Sequence, residues 1–137
     1  MKALVDTNVW LDVLQDRESF YEESARVLTL LEGSQHSALM SATSVTTIFY
    51  LVAKKTDHKT ALEQVRRLLE NYGVVAIDGA VLRDALSSAS DDYEDAVLEH
   101  AAQRAGLDAI VTRNPKDFVG SRLAIYTPAE LVAALIA

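Results

Sequence analysis

Short apolar runs that alternate with amphipathic helical stretches predict an α/β fold, a mostly parallel sheet of about five strands covered by helices on both faces. Two further observations support it. The strand-like runs are continuously apolar rather than alternating, as strands buried on both faces must be. Polar side chains also follow two of those runs: Asp6 directly after the first, Asn114 and Asp117 in the segment after the fourth. Ligands of parallel sheets bind beyond the carboxyl ends of the strands, so these groups are placed for a shared site.

Residues 2–5 read as the first strand, and a short helix follows around 8–14. Residues 20–32 put Phe20, Ser24, Val27, Leu28 and Leu31 on one helical face, and Gly33 suits the end of that helix. Residues 37–40 make the second strand. Val45, Ile48, Phe49 and Val52 repeat at i, i+3, i+4, i+7 and predict a third helix. Leu62, Val65, Leu68, Leu69 and Tyr72 predict a fourth in the same way, and residues 74–77 a third strand. Asp78 can cap a helix carrying Leu82, Ala85, Leu86 and Ala89. The acidic window Asp91, Asp92, Glu94, Asp95 opens the next helix, with Val97, Ala101 and Ala105 on one face and Gly106 at its end. Residues 109–112 and 123–126 are the fourth and fifth strands. In Thr127-Pro128-Ala129-Glu130 the threonine can cap, the proline fits a first turn and the glutamate completes a capping box. Leu131, Val132 and Leu135 would dock that last helix.

The chain has 137 residues, one domain's worth, and half of it is hydrophobic, enough for a sizeable core. It contains no cysteine, so disulfides and thiolate metal sites are excluded. The opening residues do not read as a signal peptide, and no stretch approaches the ~20 apolar residues of a membrane span. The expected setting is cytoplasmic, with no membrane partner. With 13 basic and 20 acidic residues the net charge is −7, against a whole-surface nucleic-acid binder but compatible with acids spent as metal ligands.

Asp91 and Asp92 suit a helix start, where acids cap free N–H groups and favour the helix dipole. Asp95 lies further into the helix and fits that role less well. Carboxylates held together raise one another's pKa unless a cation neutralises them. An all-oxygen pocket formed by Asp6, Asp95 and Asp117 would suit Mg²⁺ or Mn²⁺.

Asp6-Thr7-Asn8-Val9-Trp10-Leu11-Asp12, taken with Glu94-Asp95-Ala96 and Thr112-Arg113-Asn114-Pro115-Lys116-Asp117-Phe118, resembles the PIN-domain family, the metal-dependent ribonucleases that include VapC-type toxins. The resemblance spans the chain and implies a single PIN-like domain over residues 1–137, a three-layer α/β/α sandwich. It implies Mg²⁺- or Mn²⁺-dependent cleavage of RNA, an antitoxin protein as partner, and a homodimer. Asp6 matches the first metal ligand, Asp95 the acid of the penultimate long helix, and Asn114 or Asp117 the late acidic position. Thr7 and Asn8 match the polar pair that orients the first acid or contacts phosphate. The chain departs from the pattern on the helix after strand two. PIN domains usually carry a glutamate there, but the stretch 41–50 holds no acid and Thr47 stands at that position. The alternative implied by that loss is a catalytically weakened PIN fold that binds RNA or a protein.

Arg113 and Lys116 flank the expected site and are candidates for RNA phosphate contacts. Arg66 and Arg67 read as helix surface with Glu63 and Glu70 as counter-charges. His36, His58 and His100 have no zinc spacing. Trp10 reads as core or interface.

Overall fold

A computed structural model describes residues 1–33 and 35–136. Its elements in chain order are β1 (Lys2–Val5), α1 (Thr7–Leu14), α2 (Tyr21–Leu31), β2 (Ser37–Ser41), α3 (Ala42–Lys55), α4 (His58–Asn71), β3 (Gly73–Val75), α5 (Gly79–Ala85), α6 (Tyr93–Arg104), β4 (Ala109–Val111), a 3₁₀ turn (Pro115–Phe118), β5 (Ala124–Tyr126) and α7 (Pro128–Ile136). The five strands form one parallel sheet in the order β3-β2-β1-β4-β5.

Successive strand residues face opposite sides, so each strand feeds two cores. Ala3, Val5, Ala109 and Val111 pack with α1–α4 and α7. Leu4 and Ile110 pack with α5 and α6 on the other face. This is a three-layer α/β/α sandwich. Strand order reverses direction at β1, where the chain runs outward to β2 and β3 and then returns to β4 on the other side. Such a switch point leaves a crevice at the carboxyl ends of β1 and β4.

Trp10 anchors the first helix beside that crevice. It is buried, its indole N–H donates to the Val5 carbonyl at 3.0 Å, and its ring meets Tyr72 edge-on at 4.7 Å. It belongs to the core. The capping box of α7 forms as expected: Glu130 N–H donates to Thr127 Oγ1 at 3.1 Å and Thr127 N–H to Glu130 Oε1 at 2.9 Å.

Several helix faces differ from the periodicity. In α4, Leu62 and Leu69 are 45% and 49% exposed while Ala61 and Leu68 are buried, because the helix rests on α3 along one edge only. In α5, Val81 and Ala85 turn inward and Leu82 and Leu86 outward; the helix closes at Ala85, so Ala89 lies beyond it. Ala105 is the exposed C-cap of α6, and Ala96, Leu98 and Ala102 join Val97 and Ala101 in its buried face. The third strand is Gly73–Val75, shorter than expected. Among the described residues no helix is long and apolar enough to cross a membrane.

Candidate active site

The first acid is held by the fold at both oxygens. Asp6 leaves β1 in an extended conformation and its own N–H donates to Val111 O at 2.9 Å, which extends the β1–β4 pairing by one residue. The Thr7 N–H donates to Asp6 Oδ1 at 2.8 Å, and the Thr112 hydroxyl donates to Oδ2 at 2.9 Å. Thr112 Oγ1 in turn accepts from the Asn114 N–H at 3.1 Å. One buried hydroxyl thus ties the ends of β1 and β4 together and sets the start of the following loop. Burial pushes the Asp6 carboxyl up, Thr112, Thr7 and the Arg113 charge oppose this, and Asp117 adds to it.

That loop turns into the 3₁₀ segment, pinned by buried Phe118 and by Asp117 N–H on Asn114 O at 3.0 Å. Asn114 and Asp117 both reach the crevice. The opposite wall is the start of α6. Asp92 caps it, accepting from the Asp95 N–H at 3.2 Å, as its position in the acidic window suggests. Burial, then the carboxylates of Asp92, Asp6, Asp117 and Glu94, push the Asp95 carboxyl up to about 7. Burial and the charges of Asp92 and Asp6 also raise Glu94.

A cavity of about 310 Å³ collects these groups. Asp6, Thr7, Asn8, Thr47, Asp92, Glu94, Asp95, Asn114 and Asp117 all line it. Of the residues singled out in the sequence, the fold therefore brings together Asp6, Thr7, Asn8, Asp95, Asn114 and Asp117. Two basic residues are not among them. The Arg113 Nε lies 3.1 Å from Asp12 Oδ2 and its guanidinium stacks 3.9 Å from the Phe20 ring centre, so the buried carboxylate and the ring turn the side chain aside. Lys116 borders a neighbouring hollow with Asp91, Asp92 and Asp117. The Thr7 hydroxyl is engaged with Ser44 Oγ at 2.6 Å, within a chain of hydroxyls that runs on to Ser41.

Glu94 and Asp92 line the cavity without having been assigned to it. The signal was the acidic window itself, whose helix register only the cap settles: with Asp92 as N-cap, both Glu94 and Asp95 fall in the first turn. Thr47 stands across the cavity and its hydroxyl donates back to Thr43 O at 3.2 Å. Asp12 and Arg17 pair at 3.6 Å outside the cavity, and their pairing gave no sequence signal, because a buried ion pair leaves no periodic trace.

A three-layer parallel sandwich with a carboxylate-lined crevice at its switch point defines a class of α/β proteins built to hold charged ligands at the strand ends. Within it the family is shown by sequence: the PIN domain model matches residues 2–116, and the chain belongs to the PIN domain family. It is 24% identical over 134 residues to Ribonuclease VapC1 of Aquifex aeolicus (strain VF5), covering 94% of this chain and 92% of the relative. The fold is similar to that in a toxin–antitoxin complex from Klebsiella pneumoniae, with TM-score 0.69, 23% identity, and 92% and 97% of the two chains covered. It is also similar to FitAcB from Neisseria gonorrhoeae, with TM-score 0.71, 21% identity, and 93% and 98% covered.

Proposed function

We propose that this chain is a metal-dependent endoribonuclease that cleaves RNA phosphodiester bonds and serves as the toxin of a toxin–antitoxin pair. The observation that carries the proposal is the cavity that gathers Asp6, Asp95, Asn114 and Asp117 at the switch point of a PIN domain. The likeness to a ribonuclease and to chains solved as toxin–antitoxin complexes supports it. An antitoxin protein, a second copy of the chain and a cytoplasmic setting complete the proposal, with residues 1–137 acting as one domain.

The donor set suits a hard cation. Every polar group lining the cavity presents oxygen or amide, with no imidazole or thiolate. Among the described residues no three acidic or histidine side chains are already drawn together at metal-holding geometry. Mg²⁺ or Mn²⁺ needs only one or two carboxylates, since waters and substrate oxygens fill the other positions. When bound, such an ion lowers the pKa of a water and neutralises charge on a phosphate. Asp6 and Asp95 would hold it, with Asp117 or Asn114 completing the site. Thr112 and the Thr7 N–H orient Asp6 for this. Asp95 is poised near neutrality to give up its proton as a cation enters. Glu94 has neither hydrogen bond nor ion pair among the described residues and adds negative charge to the same wall. Asn8 and Lys116 are the groups we assign to the RNA backbone.

The decisive assay is cleavage of mixed RNA with Mn²⁺, Mg²⁺ or EDTA, wild type beside Asp6→Asn. Cleavage that survives EDTA, or full activity in the variant, would sink the mechanism. One observation favours the second reading, a weakened binding module: the wall formed by α3 presents Thr47, a neutral hydroxyl turned to its own helix, and no acid. RNA binding by the wild type without metal-dependent cleavage would establish that reading instead.

A further inference from the structure

Asp12 is fully buried and takes no part in the acidic cavity, and a buried carboxylate persists only when it is paired. Its Oδ2 accepts from the Ser24 hydroxyl at 3.0 Å and lies 3.1 Å from Arg113 Nε. Its Oδ1 lies 3.6 Å from Arg17 Nη1. What separates this cluster from ordinary core chemistry is where Arg17 goes next. Arg17 Nη1 also donates to Asn8 Oδ1 at 3.2 Å, and Asn8 lines the cavity. The other edge of the guanidinium is fixed too, with Nε and Nη2 donating to Gln15 Oε1 at 3.3 and 3.1 Å.

The backbone is shaped for this reach. Asp16 adopts a left-handed conformation (φ 47°), and the Arg17 N–H returns to the Asp12 carbonyl at 3.0 Å. The chain thus doubles back at the end of α1 and brings Arg17 over Asn8, nearly the length of the helix away. With Oδ1 of Asn8 committed to Arg17, its NH₂ is the group left to meet whatever enters the cavity. An N–H donor among carboxylates suits an anionic oxygen that comes in beside a cation.

We propose that Asp12 and Arg17 are positioning residues that lock the Asn8 amide so that its NH₂ donates to a phosphate oxygen of the RNA strand. This rests on the ribonuclease reading and deepens it. The test uses the full chain and a fluorescein-labelled single-stranded RNA of mixed sequence. Anisotropy in EDTA measures binding without cleavage; steady-state cleavage with Mn²⁺ separates KM from kcat. Arg17→Met is expected to weaken RNA binding about tenfold, the order of one hydrogen bond to a charged group. The loss should fall on KM, with Mn²⁺ affinity preserved. Asn8→Ala is expected to show the same loss, and the double variant to be no weaker than either single one, because both remove one contact. Asp12→Asn should follow them; Arg17→Met carries the test because its side chain is part-exposed and its loss does not strip the core. Wild-type RNA affinity in Arg17→Met, or additive losses in the double variant, would overturn the inference. A wild type that binds RNA but cleaves none overturns the ribonuclease reading instead, and the anisotropy series still decides the role of Arg17.

Discussion

Thr112 shows how much one hydroxyl can hold. It donates to Asp6 Oδ2 and accepts from the Asn114 N–H, so both ends of the crevice hang on it. Thr112→Val keeps the shape and removes both bonds. The buried acid then loses a partner, which costs about 1–3 kcal/mol by the usual penalty for an unsatisfied buried group. Chemical denaturation should show that loss, and metal-dependent cleavage should fall with it, since Asp6 loses a hydrogen bond that favours its charged form. Thr47 offers the opposite experiment. It lines the cavity from α3 and carries no charge. Thr47→Glu adds a carboxylate to that wall of the cavity. Titration calorimetry should record tighter Mn²⁺ binding than in the wild type, and unchanged affinity would show that the α3 wall does not reach the ion.

At the scale of elements, two helices beside the site end in the same way, and only one of these endings could be read in the sequence. Both are closed by a left-handed residue with the following N–H returned to the helix. In α6 that residue is Gly106 (φ 70°), with Leu107 N–H on Ala102 O at 3.0 Å. In α1 it is Asp16 (φ 47°), a residue that looks like solvated surface in sequence. Asp16→Val puts a β-branched side chain into that conformation, at a cost of roughly 1–2 kcal/mol. Thermal unfolding would register it, and RNA affinity should drop with it because Arg17 leaves Asn8. Strands and capped helices were legible because their signals are local: apolar runs, Asp78 and Asp92 as N-caps, the Thr127–Glu130 box. Asp6 and Asp117 were legible because strand ends in a parallel sheet converge by construction, and Asp95, in the first turn of α6, stood out through the acidic window and the resemblance. The side chains that depend on long-range pairing were not. Arg113 reads as a free cation beside the site until Asp12, far away in sequence, is seen to claim it. The 3₁₀ turn Pro115–Phe118 was missed because a single turn has no period to detect.

For the molecule as a whole, two sets of carboxylates pull stability in opposite directions with pH. Asp57 and Asp78 cap helices and Glu130 closes the α7 box; all three are held below their ordinary pKa, chiefly by backbone N–H groups of Thr60, Val81 and Thr127. Their contribution is present above the ordinary carboxylate range and is lost as pH falls through the folded values. Asp6, Glu94 and Asp95 are raised, first by burial and then by one another, Asp95 to about 7. A raised acid binds its proton more tightly folded than unfolded, so its contribution is full at acid pH and is lost as pH climbs toward 7. In EDTA, then, the melting temperature should peak near the ordinary carboxylate range, fall on the alkaline side of it as the cavity charges, and level off above about 7. A divalent cation reverses only the second limb, because it binds the deprotonated site and stabilises the folded state by mass action. Mn²⁺ should therefore raise the melting temperature more at pH 8 than at pH 6. Asp95→Asn removes the most strongly raised acid, so it should flatten the alkaline fall in EDTA and abolish most of the gain from Mn²⁺. A metal-induced gain that is the same at both pH values, or that survives in Asp95→Asn, would place the cation somewhere other than this cavity.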